Sequence, residues 1–265
     1  MSTSRSPHPY LSGPFPRAFA HRGWHVNDLA GMENSLAAFR RAAEEGYRYV
    51  ETDVHSTRDG VPVIHHDPDL DRTTDRSGRI AELPWSSVRR AHVAGREPVC
   101  RLQDVLEELP GTSFNIDVKS PDAIEPVVRT ISRMGVRSRV AVASFSAARL
   151  GRVRRLAGPD LATALTPRAT GLLRFGGLLR LPLRALLPGM MAQVPVRVGR
   201  LPLVDRHFVR TATRCGIEVH VWTVNDAPRM HNLLDLGVSG IITDRPDLLR
   251  DVLIERGEWQ AHSVA

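Results

Sequence analysis

Apolar and polar positions alternate along this chain with two different periods. Short runs with a period near two, rich in Val, Ile and aromatic residues, read as strands: RAFAHR (17–22), YVETDV (49–54), VPVIHH (61–66), FNIDVK (114–119), RVAVASF (139–145), LATALT (161–166), MAQVPV (191–196), EVHVWTV (218–224) and GIITD (240–244). Between most of them lie stretches with helical spacing: NSLAAFRRAAEEG (34–46), RLQDVLEELPG (101–111), PDAIEPVVRTISRMG (121–135) and RMHNLLDLGV (229–238). Regular strand–helix alternation predicts an α/β fold with parallel strands and helices outside. Eight or nine strands point to a closed (β/α)₈ TIM barrel, with an open doubly wound sheet as the alternative. No strand runs into a GxGxxG or GxxxxGK[ST] loop, which weakens the nucleotide-binding form of that alternative.

Polar residues break this pattern at particular places. They gather toward strand C-terminal ends, at His21-Arg22, Glu51, Asp53, Asp117, Lys119, Ser144, Trp222 and Asp244. In a parallel barrel those ends form one rim, where active sites sit. In VETDVHSTRDGVPVIHHD (50–67), Asp59-Gly60 signals a tight hairpin. Pairing outward from Arg58 and Val61 sets Asp53 opposite His66, on the face shared with Glu51, and turns His65 away. A solvated hairpin carrying a charge pair is the competing reading. In NIDVK, Asn115, Asp117 and Lys119 share one face, which is costly inside a barrel unless they are paired or bind something. Strand one delivers His21, Arg22 and then a glycine. Three carboxylates, two histidines, one arginine and one lysine on one rim suit a hard divalent cation, Mg²⁺ or Ca²⁺, and an anionic substrate. Two histidines suit one general acid and one general base, a combination that fits metal-assisted phosphoryl chemistry.

Composition narrows the partners. The 265 residues are 42% hydrophobic and 25% charged, enough for one large domain. The net charge is +7, yet the arginines are scattered and only 5% of residues are aromatic, so nucleic acid is not expected. Of 36 basic residues only Lys119 is lysine; codon usage is the simplest reading of that bias, and a site that needs a compact ammonium in place of a guanidinium is the alternative. Two cysteines are too few for a disulfide framework and fit a reducing compartment. MSTSRSPHPYLSGPFPR has no apolar signal-like core, and no apolar run is long enough to span a bilayer, so a cytoplasmic location is expected. The expected organisation is a disordered lead-in over 1–16, one barrel domain over 17–256 and a tail over 257–265.

The series AHRG, MENS, ETDVHSTRDGVPVIHHD, LDRTT, NIDVK, VASFS, VHVWTVND and GIITD resembles the glycerophosphodiester phosphodiesterases, in that family's order, from about His21 to Asp244. The resemblance implies a (β/α)₈ barrel, a divalent cation, and hydrolysis of glycerophosphodiesters to glycerol 3-phosphate and an alcohol. It implies Glu51, Asp53 and Asp117 as metal ligands and His21 and His66 as the acid–base pair. Arg22 and Lys119 would hold phosphate, and Trp222 would line the pocket. Lysophospholipase D or sphingomyelinase D-like activity on membrane lipids is the alternative. Two departures stand out. Asp117 replaces the usual Glu, drawing the carboxylate back by about 1.5 Å. Met32-Glu33-Asn34-Ser35 replaces Pro-Glu-Asn-Thr, and Asn34 and Ser35 are expected to cap the next helix.

The segment TPRATGLLRFGGLLRLPLRALLPGMMAQVP (166–195) is Leu-rich and carries arginines. On one helical wheel Arg174, Arg180 and Arg184 oppose Leu172, Phe175, Leu179, Leu183 and Leu186. A barrel helix with a long loop is one reading. A peripheral membrane contact through 168–189, presenting lysophospholipid to the site, is the other.

Overall fold

The computed structural model describes residues 8–176 and 183–262. Eight parallel strands build the molecule: β1 (Arg17–His21), β2 (Tyr49–Ser56), β3 (Ser113–Val118), β4 (Val140–Ala143), β5 (Ala162–Thr163), β6 (Met191–Pro195), β7 (Glu218–Trp222) and β8 (Gly240–Thr243). Their spatial order is β5-β4-β3-β2-β1-β8-β7-β6. A parallel bridge between Ala164 and Met191 joins β5 to β6, so the sheet closes on itself and the open-sheet alternative falls. Each strand leads to a helix: α1 (Leu36–Glu44), α2 (Leu102–Glu108), α3 (Ile124–Met134), α4 (Ala147–Ala157), α5 (Pro167–Gly176), α6 (Arg206–Arg214), α7 (Ala227–Asp235) and α8 (Pro246–Glu255). Side chains of Ser35, Ser146, Asp205 and Asp226 cap α1, α4, α6 and α7, fixing where the loops of the upper rim end.

Strand alternation sorts the side chains. Val50 and Val54 of β2 and Phe114, Ile116 and Val118 of β3 pack into the layer shared with the helices. The alternate residues face the barrel interior, where Phe19 meets Tyr49 with ring centroids 5.0 Å apart. Higher up the same faces carry Glu51, Asp53, Asn115 and Asp117, and these line a cavity rather than a packed layer.

Two expectations need correction, the disordered lead-in and the hairpin register. The lead-in is ordered from His8 onward: Pro9–Leu11 form a 3₁₀ turn that brings Tyr10, fully buried, against Tyr49 at the barrel bottom. One buried aromatic ring outweighs the Ser/Pro-rich composition around it. The tail also docks as far as it is described, with Trp259 against Tyr47. The hairpin register is off by one. Strand β2 pairs with Pro62–Ile64 through Val54–Ile64, His55–Val63 and Ser56–Pro62, and the His65 amide bonds the Asp53 carbonyl. The loop has three residues rather than two, because Gly60 takes φ 78° and the Thr57 hydroxyl accepts the Val61 amide. Of the two readings of 168–189, the described residues accord with a barrel helix followed by a loop. Within the described residues Pro167–Gly176 is helical and Leu183–Leu186 form a 3₁₀ turn, Arg174 pairs with Asp205 at 2.7 Å, and Leu183 and Leu187 are buried. Residues 177–182, including Leu179 and Arg180, lie outside the described residues. Among the described residues no helix is long and apolar enough to cross a membrane.

Candidate active site

The rim collects side chains from all eight strand ends around one cavity of about 930 Å³. Strands β1, β2 and β3 supply its charged floor. His21 sits beside Glu51 in register, Glu51 beside Asn115, and Asp53 beside Asp117. All eight sequence-predicted residues, His21, Arg22, Glu51, Asp53, His66, Asp117, Lys119 and Trp222, line this one cavity.

The two histidines are each held by an aspartate through Nδ1. The His21 Nδ1–H donates to Asp244 Oδ1 at 2.5 Å, which leaves Nε2 facing Glu51 Oε2 at 3.6 Å. Burial opposes ionisation of Asp244, but the hydrogen bond from His21 and the nearby His25 outweigh it and hold the carboxyl well below its ordinary range. It is therefore an acceptor. Burial likewise disfavours the imidazolium of His21, and the neighbouring Glu51 and Asp244 reverse that, raising its pKa. The His66 Nδ1–H donates to Asp67 Oδ1 at 2.6 Å. Slight burial of Asp67 is outweighed by hydrogen bonds from Arg72 and His66, which lower it to about 2. In both pairs an ionised acceptor selects the tautomer and leaves Nε2 free.

The cations are braced in the same way. Arg22 donates to Glu33 at 2.9 Å and stands 3.2 Å from Asp53 Oδ2. Glu33 also accepts from Arg72 at 2.7 Å, and Arg72 bonds Asp67, so one chain of charges ties Arg22 to His66. Glu33 is thus a shared partner of Arg22 and Arg72. The Lys119 ammonium lies 2.7 Å from Asp53 Oδ1 and 2.8 Å from Asp117 Oδ2.

The carboxylates divide accordingly. Burial, and then the Asp53 charge, push Glu51 up to about 8. Burial also raises Asp117. Asp53 is equally buried, yet Lys119 and Arg22 outweigh that and lower it. Glu51 Oε2 and Asp117 Oδ1 are buried and accept no hydrogen bond. Among the described residues no three His, Cys, Asp or Glu groups already stand in metal-ligating array. The point where Asp53 and Asp117 converge is taken by Lys119. Two orphaned hard oxygens beside an ammonium are nonetheless the donor chemistry a hard cation requires.

Several contributors escaped the sequence reading. Asp244, read from the sequence as one polar strand end at the rim but given no role, orients His21, and Asn225 holds it in turn at 2.9 Å. Asn34 does not cap α1; Ser35 does that alone. Asn34 instead takes φ 59°, accepts from Thr52 at 2.8 Å and donates to Asp53 at 2.9 Å. His55 Nε2 bonds the His66 carbonyl at 3.1 Å, steadying the loop that carries the second histidine. His65 is buried and locked by Thr73 and the Asp67 carbonyl. His25 lies 3.6 Å from Asp244. The available signal for Asn34, His55 and Asp244 was the same: polar residues beside buried strands with no evident need to be there.

Comparison with known proteins agrees with this geometry. The model of the Glycerophosphoryl diester phosphodiesterase family matches residues 21–248. A Mycobacterium tuberculosis protein, named as a probable glycerophosphodiester phosphodiesterase 2, is 44% identical over 91% of this chain and 92% of its own length. A glycerophosphodiester phosphodiesterase of Caldanaerobacter subterraneus is 28% identical over 90% of this chain and 98% of its own. An Oleispira antarctica phosphodiesterase, solved with its product sn-glycerol 3-phosphate, superposes with a TM-score of 0.75 at 22% identity, covering 91% of this chain and 97% of that one. That last likeness speaks for the fold.

Proposed function

Because the chain belongs to the glycerophosphoryl diester phosphodiesterase family, we propose that it hydrolyses glycerophosphodiesters to glycerol 3-phosphate and an alcohol by metal-dependent, histidine-assisted catalysis. The observation that supports the reading most is the pair of Asp-oriented histidines, His21–Asp244 and His66–Asp67, opening on one cavity floored by carboxylates, Arg22 and Lys119.

The phosphodiester monoanion enters between Arg22 and Lys119, which offset its charge. Glu51, Asp53 and Asp117 would hold Mg²⁺ or Ca²⁺, and such an ion, when bound, polarises phosphoryl oxygens. His21, with Nδ1 committed to Asp244, takes a proton at Nε2 from the attacking oxygen, either water or the substrate's neighbouring hydroxyl. His66, with Nδ1 committed to Asp67, gives a proton from Nε2 to the departing alkoxide. Trp222, edge-on to Phe145 with ring centroids 5.4 Å apart, forms part of the cavity wall above this floor.

The test is release of glycerol 3-phosphate from glycerophosphocholine or glycerophosphoethanolamine, with Mg²⁺, Ca²⁺ or EDTA. Activity is expected with either cation and not with EDTA. His21→Ala and His66→Ala are each expected to lower kcat by about 10²–10⁴-fold. Full activity in either variant overturns the acid–base assignment, and full activity in EDTA overturns the metal.

A further inference from the structure

The run Leu70-Asp71-Arg72-Thr73-Thr74 sits in a loop just beyond His66, closed by a bridge between Asp69 and Arg79. Four of its five side chains hold the loop itself. Leu70 is buried in a small apolar cluster with Val63, Ile80, Val88 and Val93. Asp71 accepts the Gly78 amide at 3.1 Å, and Thr74 donates to the Leu70 carbonyl at 2.8 Å. Thr73 bonds the His65 ring at 2.9 Å. Arg72 joins none of these contacts. Its side chain, half exposed, turns instead to Asp67 and Glu33 at the edge of the site.

The guanidinium fork fits both carboxylates at once. Its Nε donates to Asp67 Oδ2 at 2.5 Å, and its two Nη atoms donate to Glu33 at 2.7 and 3.2 Å. Asp67 gives its other oxygen, Oδ1, to the His66 Nδ1–H. The carboxylate plane is thus held on both sides, and so is the imidazole it orients. Glu33 is in turn fixed by Arg22. Burial works against the Glu33 charge, but Arg72 first and Arg22 after it hold the carboxyl below its usual range. A lysine ammonium, a point charge, cannot offer paired planar donors to two partners. Half-exposed ion pairs add little to stability, and the apolar cluster already secures the loop. What the fork fixes is the aim of His66 into the cavity.

We propose that Arg72 is a positioning residue for the reaction: through Asp67 it holds His66 where Nε2 can protonate the departing head group. This rests on the phosphodiesterase reading above. In that step the P–O bond to the head-group alcohol breaks, and its oxygen takes the Nε2 proton. The attacking oxygen forms the new P–O bond and gives its proton to His21, so nothing is oxidised or reduced. Loss of Arg72 frees Asp67 to turn, and the penalty falls on protonation of the leaving group. A leaving group that departs as a stable anion escapes that penalty.

The experiment compares two substrates, glycerophosphoethanolamine and the p-nitrophenyl ester of glycerol 3-phosphate, whose phenolate leaves without a proton. Both are assayed with Mg²⁺ or Ca²⁺, by mass spectrometry for ethanolamine and by absorbance for p-nitrophenolate. For R72A, kcat on glycerophosphoethanolamine is expected to fall by about tenfold or more, with KM within a few-fold and less than about threefold loss on the aryl ester. H66A is expected to show the same contrast, enlarged. R72M keeps the aliphatic stem and is expected to match R72A, which separates a lost charge from a collapsed loop. R76A removes a contact of the same loop, to the Arg90 carbonyl, and is expected to leave both rates unchanged. Added guanidinium ion is expected to return part of the R72A rate and none of the H66A rate. Equal losses on both substrates in R72A, or a matching loss in R76A, overturn the proposal, because a merely structural role predicts them. So does an R72A rate equal to wild type. Equal losses in H66A remove His66 as the acid and the role of Arg72 with it. If the wild-type protein hydrolyses neither substrate, the phosphodiesterase reading falls and takes this proposal with it.

Discussion

At the scale of single residues, function here depends on which partner each titratable group is given. His21 is useful as a proton acceptor only while Asp244 keeps its proton on Nδ1. Asp244→Asn can present an amide N–H to that nitrogen and favour the wrong tautomer. The expected result is a fall in kcat of about 10²–10⁴-fold with KM within a few-fold, and a displaced limb in the pH–rate profile. Asp244→Glu is expected to recover part of the rate, and an unchanged pH profile in the Asn variant would remove Asp244 from the mechanism. Lys119 has the opposite role, as the cation that makes two buried aspartates tolerable at 2.7 and 2.8 Å. Lys119→Met leaves them uncompensated, at a cost of about 3–5 kcal/mol. A lower Tm in EDTA, partly restored by Mg²⁺ or Ca²⁺, is expected; calorimetry showing no cation effect on that variant would argue against a metal among these carboxylates. The floor residues were legible because strand alternation forces Glu51 with Asp53, and Asp117 with Lys119, onto common faces. Asp244 and Asn34 were not, because their roles depend on contacts 223 and 19 residues distant along the chain.

At the scale of elements, pattern set the strands and turn chemistry set their register, and the two were not equally readable. The Asp59-Gly60 signal is satisfied by two- and three-residue loops alike, and the three-residue form moves the pairing by one. Such a slip normally inverts every side chain's face. His66 nevertheless reaches the site, because the ladder ends at Ile64 and the chain then turns freely, with His65 anchored by Thr73 and Asp67. The histidine that lines the cavity was thus picked out through a wrong register. Strand β7 shows a second effect hidden in an ordinary alternation. Its Glu218 and His220 meet Arg17 of β1 at the barrel bottom, with Arg17 2.8 Å and His220 3.0 Å from the Glu218 carboxylate. Burial works against that carboxylate, but the two hydrogen bonds win and lower it to about 2. A depressed carboxylate stabilises the fold above its unfolded pKa near 4.5 and loses that contribution as pH falls toward 2. Glu218→Gln is therefore expected to cost up to about 3 kcal/mol at pH 7. The gap from wild type should narrow steadily between pH 4.5 and 3 in denaturant titrations. A gap independent of pH would mean that packing, not charge, holds this strand pair.

At the scale of the whole molecule, alternation of strands and helices announced the barrel, but nothing local announced how it closes. The seam lies between β5, only Ala162–Thr163, and β6. It is held by the Ala164–Met191 bridge, the Leu165 amide on the Met191 carbonyl at 2.8 Å and the Met190 amide on the Thr163 carbonyl at 2.9 Å. Such a short strand gives little periodicity to read, so closure follows only from the count of eight and from the geometry of the other seven. Gly189 makes the seam possible. Its φ of 132° is open to glycine alone, and a Cβ there would stand 3.0 Å from the carbonyl oxygens of Thr163 and Ala164. Those carbonyls cannot swing aside, because both belong to the strand end that closes the ring. Gly189→Ala must then either strain its own backbone or push β5 from β6, at about 1–3 kcal/mol. For a chain of this size each kcal/mol shifts Tm by about 2–4 °C. A Tm lower by several degrees is expected, together with faster amide hydrogen exchange at Leu165 and Met190 than at the β2–β3 pair. Since the charged floor of the site is carried by β1, β2 and β3 on the far side of the ring, the same variant should keep kcat within a few-fold of wild type at 25 °C. A variant that kept its Tm, or that opened uniformly around the barrel, would show that closure does not depend on this residue.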